Sequence, residues 1–295
     1  MQRPFDKLVE ALGQPKPPTV VWQEPFDYIR GHCERLCDQR RHLQNVDLYD
    51  YLLDYRYMEV QQDLLRYLLP KVLYAWGQYL LGKTEEYGGM SEQVFASLAG
   101  RPLYPDFFKE EEFEATMQYV ASLILEAMQQ ETTLHHRGYS HLPYNWFYAL
   151  GSFMVVFPNL DYLWERWWSL PNEALSLSMV EYVSCLMYEN TDNPVFAMWT
   201  DQDGGGPPSL VETDGLIYNE ATHPDNVAFL ESILNIDYIH DRLLAARNVI
   251  STPDNLQVLD QMLEDFELQS IILEERLEDF PKLLRLPKQD IEYWW

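Results

Sequence analysis

Residues 253–280 carry the sequence PDNLQVLDQMLEDFELQSIILEERLEDF, in which large apolar side chains recur every three or four positions. This spacing puts them on one face of an α-helix, because an α-helix has about 3.6 residues per turn. Pro253 fits at the start, where a missing backbone N–H breaks no helical hydrogen bond. The pattern therefore predicts a long amphipathic helix, with an apolar stripe formed by Leu256, Leu259, Leu263, Phe266, Leu273, Leu277 and Phe280.

The polar side of this predicted helix is strongly acidic, and we predict that it forms a binding surface. The chain has 21 basic and 47 acidic residues, a formal net charge of −26. Residues 151–295 hold 26 of the acidic residues and only 7 of the basic ones. Such a surface repels nucleic acids and anionic lipids and attracts basic proteins. On this helix the predicted binding residues are Asp260, Glu264, Glu267, Glu274, Glu275 and Glu278.

Helical periodicity continues upstream of residue 253. The sequence shows no repeat of fixed length, which argues against a regular array such as TPR or ankyrin repeats. Short polar connections favour antiparallel neighbours. We therefore predict an all-α fold, either an irregular multi-helix bundle or α-solenoid-like helical pairs. The predicted helices cover residues 46–67 with an end near Pro70, 71–81, a segment after Pro105, 145–157, a short helix between Pro158 and Pro171, 173–189 and 225–247.

The clearest break in this pattern is the Gly/Pro-rich stretch 201–224, which contains Gly204, Gly205, Gly206, Pro207 and Pro208. Consecutive glycines and prolines are unfavourable in helices and strands, so this stretch predicts a loop. Residues 209–218 surround an Asp-Gly pair, which is typical of a β-hairpin turn, and a small hairpin is possible there. We interpret residues 1–295 as one domain, in which the loop separates a main helical body, 26–200, from a C-terminal helical pair, 225–280.

Composition also bears on the compartment in which the protein works. The three cysteines, Cys33, Cys37 and Cys185, are too few and odd in number for a disulfide framework. The first ten residues lack the apolar segment of a signal peptide. The longest apolar run, at residues 146–157, is too short to span a bilayer. We therefore expect a soluble cytoplasmic protein that does not bind membranes.

No motif for a cofactor or for nucleophilic catalysis is present, and we predict no cofactor and no enzymatic activity. The glycines at 204–206 are not followed by the Lys-Ser or Lys-Thr of a phosphate-binding loop. The alternative is a metal-dependent all-α hydrolase whose ligands would be His223, His240, Asp241 and Asp254. That chemistry needs several ligands converging on one cavity, with an open position for water. A solvent-facing helix side explains His240 and Asp241 equally well.

The charge favours a different function. We expect an acidic binding protein that neutralises a basic partner, such as an immunity protein or antitoxin that blocks the active site of a nuclease-like toxin. Asp201 and Asp203 in the loop extend the predicted acidic surface. A third possibility is a helical scaffold that forms a homodimer through the seam of the terminal helix.

Overall fold

The described residues of this computed structural model form an all-α fold, as predicted. These residues are 3–23, 31–38, 43, 45–55, 59–84, 94–95, 97–99, 103–134, 144–188 and 222–285. Within these ranges there is no β-strand, residues 94–95 and 97–99 are helical, and eleven further α-helices have defined bounds. The helices are α1 (Pro4–Ala11), α2 (His32–Leu36), α3 (Asn45–Tyr55), α4 (Gln62–Leu80), α5 (Glu110–Met128), α6 (Tyr144–Val156), α7 (Leu160–Trp168), α8 (Glu173–Met187), α9 (Pro224–Ile233), α10 (Ile236–Arg247) and α11 (Pro253–Leu284).

The chain divides into two compact units, Met1–Leu123 and Ile124–Trp295. In the first unit, α4 is the central helix, and α1 and α3 pack against it. The Arg66 guanidinium on α4 makes a two-pronged contact with the Glu112 carboxylate on α5, at 2.6 and 2.7 Å. The same carboxylate accepts a hydrogen bond from the backbone N–H of Lys109, just before α5 begins. Glu112 therefore ties the start of α5 to α4.

The prediction of one helix over residues 46–67 that ends near Pro70 is wrong. Helix α3 ends at Tyr55, and α4 begins at Gln62 and continues through Pro70. Contacts distant in sequence hold Gln61, the residue directly before α4: its N–H donates to Gln23 Oε1, and its Oε1 accepts from the N–H of Trp22. Pro70 is itself buried, and we attribute the continuity of α4 to its many buried side chains, which offset the roughly 3 kcal/mol cost of an internal proline.

In the second unit, α8 is the central helix, and every side chain from Leu175 to Met187 is buried. Helices α7, α10 and α11 pack against it. An aromatic layer lies between these helices, and Trp164 stacks on Trp168 with ring centroids 4.4 Å apart. Tyr238 of α10 stacks on the same Trp168 ring, at 5.3 Å. This aromatic packing positions α10 against α7.

The predicted helix over residues 225–247 is in fact two helices, α9 and α10, so this prediction is also wrong. Asn235 lies between them in an extended conformation and caps α10, because its side chain accepts a hydrogen bond from the N–H of Tyr238 at 2.9 Å. Capping of this kind is a common reason for a new helix to start. The other predicted helices of this unit agree closely with α6, α7, α8 and α11.

Two earlier predictions concern residues that the structure does not describe. The possible hairpin at 209–218 and nearly all of the Gly/Pro-rich stretch 201–224 lie outside the described residues. The proposed organisation into a helical body and a C-terminal pair stays a prediction. Among the helices that are described, none is both long and apolar enough to cross a lipid bilayer.

Candidate functional site

The outer side of α11 carries a row of exposed carboxylates. The inner side of this helix is buried against α8, α9 and α10 through Leu259, Met262, Phe266, Leu273 and Phe280. The opposite side points to solvent, because these buried positions recur at helical spacing and leave the intervening positions exposed. We call the exposed set the acidic face; it consists of Glu264, Glu267, Glu274, Glu275 and Glu278.

The charges of the acidic face are not neutralised within the described part of the chain. None of its five carboxylates has a hydrogen-bond or ion-pair partner among the residues that the structure describes. On one α-helix the row from Glu264 to Glu278 extends for about 21 Å, at 1.5 Å per residue. Like charges at this spacing repel each other, so the row stabilises neither the helix nor the core.

Asp260 differs from the other acids that the sequence predicts for this surface. Arg247 at the end of α10 binds it, with Nε 2.5 Å from Oδ1. This hydrogen bond lowers the pKa of Asp260 and raises the pKa of Arg247. Asp260 therefore serves an internal contact between α10 and α11, and its charge is already balanced. The two predicted loop acids, Asp201 and Asp203, lie outside the described residues.

Three large apolar side chains interrupt the acidic face and are also exposed. Leu268, Ile271 and Ile272 expose 72, 66 and 44% of their surfaces, respectively. We call these three residues the apolar patch. Single exposed apolar residues are common on protein surfaces, but neighbouring ones on a single helix mark a surface suited to binding another protein.

A groove adjoins the acidic face on one side. It lies between the junction of α9 and α10 and the second half of α11, and it encloses about 540 Å³. A smaller cavity of about 260 Å³ adjoins it and shares Leu234, Leu277 and Glu278. The groove is lined by Leu234, Asn235, Ile236, Asp237, Ser270, Ile271, Glu274, Leu277 and Glu278. The lining therefore mixes four apolar side chains with five polar ones, and three of the polar ones are carboxylates.

Several polar contacts fix the position of α11 relative to its neighbours. Glu173 of α8 accepts hydrogen bonds from the Ser251 hydroxyl and from the Thr252 N–H, directly before α11 begins. These bonds lower the pKa of Glu173 to about 2. Further along, the Tyr188 hydroxyl donates to Asp265 at 3.0 Å. Because α11 is held along its length, its outer side is a preorganised surface.

The four residues of the alternative metal site do not form one group. His223 caps α9 by accepting from the N–H of Asp225, and the ring of His240 packs on that of Phe266 at 4.8 Å. Asp241 and Asp254 are exposed, on α10 and in the first turn of α11. Within the described ranges, no three His, Cys, Asp or Glu side chains are arranged to hold a metal ion. The hydrolase alternative stays a prediction.

Sequence reasoning missed the groove. It predicts one continuous helix over residues 225–247 and does not consider Ile271 and Ile272. Two signals point to the groove in retrospect: an Asn at 235 that caps a new helix, and two isoleucines outside the buried stripe.

Comparison of the chain with protein-family models, with curated proteins and with solved structures finds no match.

Proposed function

We propose that this protein is an acidic binding protein that neutralises a basic partner, in the manner of an immunity protein or antitoxin that blocks a nuclease-like toxin. One observation carries the proposal: the five glutamates of the acidic face are exposed on one helix and have no partner among the described residues. A row of this kind costs stability through repulsion, and a basic partner relieves that cost.

Two further features support a protein partner with a positively charged surface. The net charge of −26 speeds the encounter with a cationic protein and repels phosphate backbones. The active site of a nuclease is cationic because it must bind phosphates, so a row of carboxylates is complementary to it. The apolar patch adds a hydrophobic contact area, which charge alone does not supply.

The proposal is tested by expressing each reading frame that flanks the gene of this chain, alone and together with the chain. We expect one flanking frame to encode a strongly basic, toxic protein whose toxicity the chain abolishes. The purified pair should bind in a salt-dependent manner, with affinity at 50 mM NaCl at least about tenfold higher than at 300 mM.

The matched variant carries Glu→Gln at all five positions of the acidic face, which keeps shape and polarity and removes five charges. It should fail to protect and should bind at least about a hundredfold more weakly, because each lost ion pair costs up to about 1 kcal/mol. If no flanking product is toxic and neutralised, or if the five-Gln variant protects as well as the native chain, the proposal is wrong.

A further inference from the structure

The groove, the acidic face and the apolar patch lie side by side on the same helix. Ile271, Glu274 and Glu278 line the groove, and Ile271 also belongs to the apolar patch. Across the groove, Asp237 adds a third carboxylate to Glu274 and Glu278. This surface is therefore a continuous strip, on which exposed apolar side chains lie among carboxylates.

We propose that this strip is the docking site for an amphipathic basic helix of the partner protein. Apolar side chains of that helix cover Leu268 and Ile271, and an arginine or lysine enters the groove between Asp237 and Glu278. This inference rests on the proposed function and deepens it, because it assigns the contact to a structural class of ligand and to a defined part of the surface.

Charge and shape both favour this occupant. A long cationic side chain has an apolar stem and a charged end, which match the apolar side chains and the carboxylates that line the groove. A guanidinium also forms strong paired hydrogen bonds with carboxylates. The strip is about 21 Å long, so it accommodates a helix of about four turns laid along it.

The same features disfavour a second copy of this chain. In a symmetric dimer built on this strip, the glutamates of one copy would face those of the other. Like charges placed opposite each other cost several kcal/mol in an interface. An anionic ligand is repelled for the same reason.

The test uses a synthetic peptide of about 16 residues, with leucines on one helical face and arginines on its flanks. A second peptide has the same composition in scrambled order, so that it carries equal charge without an amphipathic face. Binding to the full-length chain is measured by titration calorimetry at 50 mM NaCl. We expect the amphipathic peptide to bind at least about tenfold more tightly than the scrambled one, since only its leucines cover the apolar patch.

Two double variants locate the contact. Glu274→Gln with Glu278→Gln removes groove charges, and Leu268→Ser with Ile271→Ser removes exposed apolar surface; each should weaken peptide binding about tenfold or more. The matched control, Glu110→Gln with Glu111→Gln, removes two exposed charges from the start of α5 and should change binding less than about threefold. Circular dichroism of each variant establishes that the fold is retained.

The inference is overturned if neither peptide binds, if both bind equally, or if the groove and patch variants bind like the control variant. It is also overturned if sedimentation shows that the chain alone dimerises and that Ile271→Ser abolishes the dimer. If the chain still neutralises a flanking toxin through the five glutamates, these results contradict only the helix-docking inference, and the proposed function is retained. If the chain neutralises no flanking toxin, the proposed function is wrong.

Discussion

A buried asparagine, Asn226, connects three helices of the second unit. Asn226 is fully buried at the start of α9, and its side chain makes three hydrogen bonds to backbone groups near the end of α6 and the start of α7. It accepts from the N–H of Leu160 and donates to the carbonyls of Met154 and Phe157. Buried backbone groups that lack a partner are costly, and this single amide bonds to three backbone groups. One of them, the Met154 carbonyl, also accepts from the N–H of His223.

We predict that Asn226→Ala lowers the free energy of unfolding by about 2–4 kcal/mol, because it removes three buried hydrogen bonds to the backbone. Urea denaturation measures the change. Asn248→Ala is the matched control: Asn248 is exposed, and among the described residues its side chain bonds only to the Leu244 carbonyl, so we expect a loss below about 0.5 kcal/mol. Equal losses for the two variants would contradict the role assigned to Asn226.

Glu112 makes stability depend on pH in the acidic range. The hydrogen bonds from Arg66 lower its pKa below the ordinary 4.5, while burial opposes that effect. A carboxyl whose pKa is lowered by folding stabilises the fold above its unfolded pKa. That contribution is lost as the pH falls from about 4.5 through the lower, folded pKa.

Accordingly, Glu112→Gln should lower stability at pH 7 by about 1–3 kcal/mol, and the difference from the native chain should shrink as the pH drops below 4.5. Thermal unfolding between pH 3 and pH 7 measures this. Glu111→Gln, at the exposed neighbouring position, should leave stability nearly unchanged at every pH. A pH-independent difference for Glu112→Gln would show that the Arg66 contact has no electrostatic part.

At the scale of single elements, two helical glycines have opposite surroundings. A Cβ atom at Gly77 of α4 would lie 2.8 Å from Cδ1 of Leu123 on α5, closer than van der Waals contact allows. The glycine therefore lets the two helices of the first unit approach closely. A Cβ atom at Gly151 in α6 would meet nothing within 4 Å.

We expect Gly151→Ala to raise the free energy of unfolding by about 0.5–1 kcal/mol, since alanine is the better helix former and no contact opposes it. Gly77→Ala should bring no such gain and should be less stable than Gly151→Ala by about 1 kcal/mol or more, because Leu123 must move. Denaturant titration of both variants measures this.

The Leu123→Ala background supplies the control for the contact between Gly77 and Leu123. There the alanine at position 77 has room, so Gly77→Ala should become stabilising by about 0.5–1 kcal/mol. If Gly77→Ala changes the free energy of unfolding equally in the native and the Leu123→Ala backgrounds, the contact with Leu123 does not determine which residue is tolerated at position 77.

At the scale of the whole molecule, the surplus of acidic residues works against folding. A formal charge of −26 makes the folded chain repel itself, and bringing carboxylates together on the acidic face adds to this cost. Salt screens such repulsion over about 10 Å at 0.1 M. The charge is thus compatible with function in a complex, where a basic partner replaces the screening ions.

The unfolding temperature of the isolated chain should therefore rise by about 2–5 °C between 10 and 300 mM NaCl, corresponding to roughly 1 kcal/mol of relieved repulsion. Differential scanning fluorimetry measures it. The five-Gln variant of the acidic face should be more stable than the native chain at 10 mM NaCl and should respond less to added salt. An unfolding temperature that stays constant or falls with salt would contradict this account.

The helical fold class and the position of α11 could be read from the sequence because amphipathic periodicity is a local property. The apolar positions from Leu256 to Phe280 identify the helix and imply that the glutamates between them face solvent. The prediction of an acidic binding surface follows from the same pattern and from composition. Both depend only on residues within a few turns of each other.

Contacts between distant residues decided the rest. Gln23 bonds to Gln61 at the start of α4, and Arg247 neutralises Asp260, so one predicted binding residue became a structural one. The groove lies where α9 ends and Asn235 caps the start of α10, beside α11. Periodicity cannot show which of two local conformations wins when tertiary hydrogen bonds and packing supply the difference in free energy.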